Sequence, residues 1–160
     1  MTNTLCLRVG DLVVRHGKIL KVFKVKQQTV HLKPFFDFKG NNDLTFTFSI
    51  KNINDGHIRK LVSKSKIKTL LNIIIKKSTT KDNSPVFNAK TALSQNNFEE
   101  TLWIIKTLWL EKKKNLNILS SGKSRIFRDA MLQVTQEIAA TNCTSPEKAK
   151  LLILSRLKSA

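Results

Sequence analysis

The sequence predicts an α+β protein, with a small, strongly bent sheet or SH3-like barrel first and an all-helical bundle after it. Three observations predict it. Apolar and polar residues alternate in Leu44 to Ile50, LTFTFSI, which is the period of a strand with one buried face. From Ser63 onward the apolar residues recur instead at spacings of three and four, the period of a helix stripe. Between these regions lies Asn52-Ile53-Asn54-Asp55-Gly56, a loop composition that marks a domain boundary.

The N-terminal elements follow in order. Val9-Gly10-Asp11 leads into a short strand, Leu12-Val13-Val14-Arg15, and His16-Gly17 marks a turn. In Lys18 to Val30 the apolar Ile19, Val22, Phe23 and Val25 alternate only in part with Lys18, Lys21, Lys24 and Lys26, which predicts a bulge. Gln27-Gln28 serves as a hairpin turn, and Thr29 to Leu32 forms the next strand. Pro34 ends that strand because proline has no N–H for the ladder. Lys39-Gly40-Asn41-Asn42-Asp43 is a turn before Leu44 to Ile50. Four or five short strands within about 50 residues suit a small barrel.

The helical half begins at Ser63, which can cap a helix carrying Ile67, Leu70, Leu71 and Ile74 on one face. Lys60, Lys64 and Lys68 recur on another face, and a solvated helix surface accounts for them somewhat better than a DNA contact along the whole stretch does. Ser78 to Pro85 is loop-like, and Phe87 to Leu93 can form a short helix. Asn97 with Glu100 resembles a capping box that opens a helix to about Lys114. Phe98, Leu102, Ile105, Leu108 and Trp109 form its apolar face, widened by Trp103 and Leu110. Both tryptophans read as core residues before base-stacking platforms. Lys112-Lys113-Lys114 suits the negative end of that helix dipole. After the linker Leu119-Ser120-Ser121-Gly122 comes a basic helix start, Lys123-Ser124-Arg125 with Arg128. Its stripe is Phe127, Ala130, Met131, Val134 and Ile138. Ser145-Pro146-Glu147 opens the last helix, with Ala149, Leu152, Ile153 and Leu157 inward.

Charge is the outlying property. The chain has 29 Lys and Arg against 11 Asp and Glu, a formal net charge of +18, which points to a polyanionic partner, most often nucleic acid. An A+T-rich coding sequence would also enrich Lys, Asn and Ile, and accounts for part of the excess. The apolar fraction of 41% is enough for a packed core. Cys6 and Cys143 make no metal-binding or redox spacing and fit a reducing cytoplasm. No leader-like run is expected near the start, and clusters such as Leu70-Leu71 and Ile73-Ile74-Ile75 are too short to span a bilayer.

No catalytic constellation stands out. His16, His31 and His57 are dispersed, and Glu99-Glu100 suits a helix N-terminus better than an acid/base pair. Ser120-Ser121-Gly122-Lys123-Ser124 contains GKS but lacks the first glycine of a phosphate loop and the buried strand before it. The expectation is a binding protein, not an enzyme, with no cofactor and no metal.

The order of these elements resembles the CarD/CdnL family of bacterial RNA polymerase-binding transcription regulators, over nearly the whole chain. Val9 to Val14 with His16-Gly17 resembles the family's opening strand and glycine turn, and Asp43 to Phe48 its later strand. Ile58-Arg59-Lys60-Leu61-Val62 and the helix after Ser63 resemble the segment joining its domains. In the C-terminal half, Ile104 to Trp109, Leu119 to Gly122, Arg125, Ala130 and Gln136-Glu137-Ile138-Ala139 fall in the family's order.

The resemblance implies a Tudor/SH3-like β-barrel over 1–56 that binds the RNA polymerase β subunit. It implies a connecting helix and loop over 57–85, and a helical domain over 86–160 that contacts promoter DNA and alters open-complex stability. Thr45, Phe46, Thr47 and Phe48 would offer the polymerase-binding strand edge. Lys81, Lys90, Lys123, Arg125 and Arg128 would hold DNA phosphates largely without reading sequence. Only Arg125 falls on a matching basic position. The opening turn is shortened, the position of Thr47 is often basic in the family, and Lys81-Asp82-Asn83-Ser84 holds no tryptophan where the family carries a wedge. A cytoplasmic, nucleoid-associated monomer with no membrane contact is expected. Two other readings fit the charge: an RNA-binding or ribosome-associated basic protein, and a protein-interaction module whose lysines reflect codon bias.

Overall fold

The computed structural model describes residues 6–36, 44–52, 58–75 and 89–159. The chain divides between Leu61 and Val62 into a sheet unit and a helical unit. The sheet unit holds β1 (Leu12–Arg15), β2 (Lys18–Val25), β3 (Thr29–Pro34), β4 (Phe46–Ser49) and β5 (Ile58–Lys60). All pairings are antiparallel and the order is β4-β3-β2-β1-β5. His16 and Gly17 join β1 to β2 with φ of 46° and 71°. Two positive φ values give a two-residue turn whose twist matches the strands, and glycine takes the second without a Cβ penalty.

The sheet curls. Two strands separate β1 from β4, yet the Arg15 guanidinium of β1 lies 4.6 Å from the Phe48 ring centroid and 6.0 Å from that of Phe46. The result is a five-stranded half-barrel. Its concave side buries Leu7, Val13, Leu20, Val22, Val30, Leu32 and Ile58, with Phe46, Phe48 and Ile50 packed against them. The bulge that the lysine-rich strand implies is present, as a register shift between Val22 and Lys24 against β3. The strand expected over Leu44 to Ile50 is shorter: Leu44 and Thr45 precede β4, and Ile50 opens a single 3-10 turn, Ile50–Asn52.

The helical unit holds α1 (Lys64–Ile75), α2 (Ala89–Ser94), α3 (Phe98–Lys114), α4 (Ser121–Asn142) and α5 (Pro146–Lys158). Side-chain caps define the helix starts. Ser63 Oγ accepts from the Lys66 N–H, Asn97 Oδ1 from Glu99 and Glu100, and Ser145 Oγ from Lys148. Each such cap is worth about 1 kcal/mol because it satisfies an otherwise orphaned donor. At α5 the backbone amide of Glu147 and the Ser145 hydroxyl hold the Glu147 carboxyl below its ordinary range. Cys143, in the left-handed conformation with φ of 53°, terminates α4. The core centres on Ile105, Leu108, Ile138, Ile153 and Leu157, all fully buried.

Two placements differ from the sequence expectation. The sheet unit does not stop at residue 56, because Ile58–Lys60 pairs with β1. The helix expected as a connector over 57–85 belongs to the bundle: α1 buries Ile67, Leu70 and Leu71 and packs against α3, α4 and α5. The expected turn at Lys39 to Asp43 and the loop at Ser78 to Pro85 lie outside the described residues, as does most of the loop from Asn52 to Gly56.

The start of the helical unit is held by α4. Glu137, 3% exposed, accepts the Val62 N–H at 2.9 Å, and the Thr141 hydroxyl donates to the Val62 carbonyl at 3.2 Å. Removing the acceptor strands a buried donor, so Glu137→Ala is expected to lower stability by about 1–3 kcal/mol in urea unfolding. Glu137→Gln, which keeps an acceptor oxygen, should lose less. An alanine variant as stable as the parent would rule out this anchoring role.

Candidate nucleic-acid and partner interfaces

The basic helix start lies where α3 hands over to α4. α3 ends on Lys112, Lys113 and Lys114, where the carbonyl end of the helix favours cations. The chain then turns through Leu116 and Asn117, with φ of 48° and 66°. The Asn117 N–H reaches back to the Lys112 carbonyl at 2.8 Å and closes the α3 terminus. α4 begins at Ser121, with Ser120 as its cap and its hydroxyl accepting from the Lys123 N–H at 3.4 Å. The helix therefore starts two residues before the basic turn, and Lys123 sits within its first turn.

That position decides what Lys123 does. A cation in the first turn opposes the positive end of the helix dipole. Here its Nζ lies 2.5 Å from Glu111 Oε1, with both side chains only about a third exposed. Lys123 is thus an internal tie between α3 and α4 before it is a phosphate contact. Arg125 and Arg128 differ, with side chains 78% and 77% exposed. Each Nε lies 4.0 Å from an Asp129 carboxylate oxygen, the outer limit of an ion pair, and such surface pairs contribute little. Both guanidiniums are accessible to a polyanion.

The remaining expected DNA contacts divide by placement. Lys90 lies on α2, the six-residue helix that packs against α3 and α4. Lys81 lies outside the described residues. Lys106, unremarked in the sequence, is 5% exposed, and burial pushes its ammonium below the ordinary lysine range. Its Nζ sits 5.3 Å from the Trp103 ring centroid, so it is a packed residue. Of the tryptophans, Trp109 is half-buried and stacks on Phe127 at 6.4 Å, whereas Trp103 is 45% exposed and stands less in the core than the helical stripe suggests.

The expected polymerase-binding strand is an edge. Among the described strands β4 pairs only with β3, so one side of its backbone has no ladder partner there. Phe46 and Phe48 face inward and carry Arg15 over their rings. Thr47 faces outward and its hydroxyl lies 3.1 Å from His31 Nδ1. Thr45 is exposed and precedes the strand. The side chains of Phe46, Thr47 and Phe48 are therefore committed within the unit, while the backbone groups of the strand's outer side are what a partner strand could use.

Both units are basic. Residues 1–61 hold eleven Lys and Arg against four Asp and Glu, and residues 62–160 hold eighteen against seven, so the +18 is not a property of one half. Among the described residues no helix is long and apolar enough to cross a membrane. No protein-family model matches the chain, and no curated protein matches it.

Exposure separates the roles at the α3–α4 corner. The double substitution Arg125→Glu, Arg128→Glu is expected to change stability by no more than about 0.5 kcal/mol, because neither side chain is packed. Lys123→Ala should cost up to about 1 kcal/mol through the partly exposed Glu111 pair. Thermal unfolding of the two variants side by side checks the ranking, and the reverse order would contradict it.

Proposed function

We propose that the protein is a non-enzymatic, CarD/CdnL-like transcription regulator. In this reading the half-barrel is a Tudor-like module that binds the RNA polymerase β subunit through β4. The helical unit holds promoter DNA by its backbone, and together they modulate the stability of the open complex in the bacterial cytoplasm. The observation that carries the reading is the β4 edge. Its inward phenylalanines and the guanidinium between them fix the strand, so its outer backbone groups are presented in register for strand addition. The exposed Arg125 and Arg128 support the second arm, a phosphate contact that carries no sequence information. Tethering to polymerase would supply location, so weak contacts to DNA suffice. The monomer acts without cofactor or metal in this reading.

The test is a pull-down with purified polymerase β subunit. Retention at moderate salt is expected, and no retention would sink the proposal. Within it, Arg125→Glu should weaken DNA binding and lower the salt slope by about one unit while leaving polymerase binding intact. Simultaneous loss of both would argue against two separate surfaces.

A second reading, an RNA-binding or ribosome-associated basic protein, is favoured by one observation: aromatic and basic side chains share the outer face of the sheet. Crosslinking in cells separates the two, since enrichment on ribosomal RNA without promoter occupancy would favour the second.

A further inference from the structure

The outer face of the half-barrel gathers side chains that strand addition and phosphate contacts by α4 leave without a role. Strand register assigns them. Val22 pairs with Leu32, and Val30 with Phe48, on the core side. Lys21 opposite Lys33, and His31 opposite Thr47, therefore stand on the other side. Phe23 follows the inward Val22 and takes the outer side by alternation, and the bulge between Val22 and Lys24 keeps Lys24, opposite His31, on that side too. The Phe23 ring centroid is 5.9 Å from that of His31, tilted by 56°, and Lys33 Nζ is 4.9 Å from it. Thr47 holds the His31 ring through Nδ1.

This placement needs an explanation. An unbulged strand would turn Lys24 toward the core, and the outer face buries Val14 and Ile19 at its β1 side while Phe23 stays partly exposed. Phe23 is 38% exposed, and Lys21, Lys24 and Lys33 around it are exposed. The one carboxylate among the described residues of the unit, Asp11, accepts the Arg8 N–H and does not neutralise this face. The face thus offers an aromatic pair, a hydroxyl and three lysines, with no acidic group among them in the described residues.

We propose that this face binds single-stranded nucleic acid. A base stacks on Phe23 beside His31, and Lys21, Lys24 and Lys33 take the flanking phosphates. An unpaired base exposes the π surface that a duplex keeps inside its stack, and aromatic rings on a basic sheet face read it without sequence preference. Lys33 moves from the ring to a phosphate when the base arrives, because stacking of a base outweighs the exposed cation–π contact it displaces. An acidic peptide would satisfy the lysines but would leave the outward ring unused. The proposal stands apart from polymerase binding and from Arg125 and Arg128.

The test is fluorescence anisotropy of the full chain with labelled oligothymidine and oligouridine of about 12 nucleotides. Phe23→Ala is expected to weaken binding about tenfold. Phe23→Leu, which keeps the bulk but not the π face, should lose about as much, and Phe23→Trp should retain it. Thermal melts confirm that these surface variants fold. The Arg125→Glu, Arg128→Glu variant should lose duplex binding but keep single-strand binding, so failure of the regulator reading and failure of this proposal are distinguishable. Unchanged binding by Phe23→Ala would overturn the proposal, as would no binding by the parent chain. Equal dependence on Phe23 with polyglutamate as the probe would overturn it in favour of a protein partner.

Discussion

A buried carboxylate near the C-terminal end of α4 fixes where the helical unit begins. Glu137 lies between the apolar turns of Val134, Ile138 and Ala139, where burial penalises a charge unless its oxygens find donors. The Val62 amide supplies one, and Thr141 on the same helix takes the Val62 carbonyl. Both polar groups of one peptide segment are thus satisfied by α4. This pins the residue from which α1 starts, and α1 then lays its apolar face on α3, α4 and α5. The spacing of Glu137 in the sequence fits a helix stripe and says nothing about a partner 75 positions earlier.

The same logic separates structural charge from available charge at the α3–α4 corner. Lys123, Arg125 and Arg128 look alike as a basic run. Glu111 holds Lys123 in an ion pair against the unfavourable dipole of α4, and the helix rotates Arg125 and Arg128 into solvent. Lys106 goes further and is packed, its aliphatic stem covered and its charge disfavoured. A count of lysines therefore overstates the surface that a polyanion meets, although both units remain strongly basic.

In the half-barrel one irregularity links fold to surface. Without the bulge at Phe23, every later side chain of β2 would change face. With it, Lys24 joins Lys21, Phe23 and Lys33 outside and stands opposite His31. Curvature acts at the other edge: it brings Arg15 over Phe46 and Phe48 and leaves β4 with a bare outer side among the described strands.

Local chemistry was legible in the residues alone. The caps at Ser63, Asn97 and Ser145, the His16-Gly17 turn, the inward stripes of α3, α4 and α5 and the irregular period of KVFKV each depend on near neighbours in the chain. The sheet's continuation into Ile58–Lys60 was not legible, nor was the membership of α1 in the bundle, because both rest on pairing across tens of residues. For the same reason the basic start of α4 could be located but not sorted. Whether a cation there faces solvent or a carboxylate depends on where Glu111 arrives, which only the packing of α3 on α4 decides.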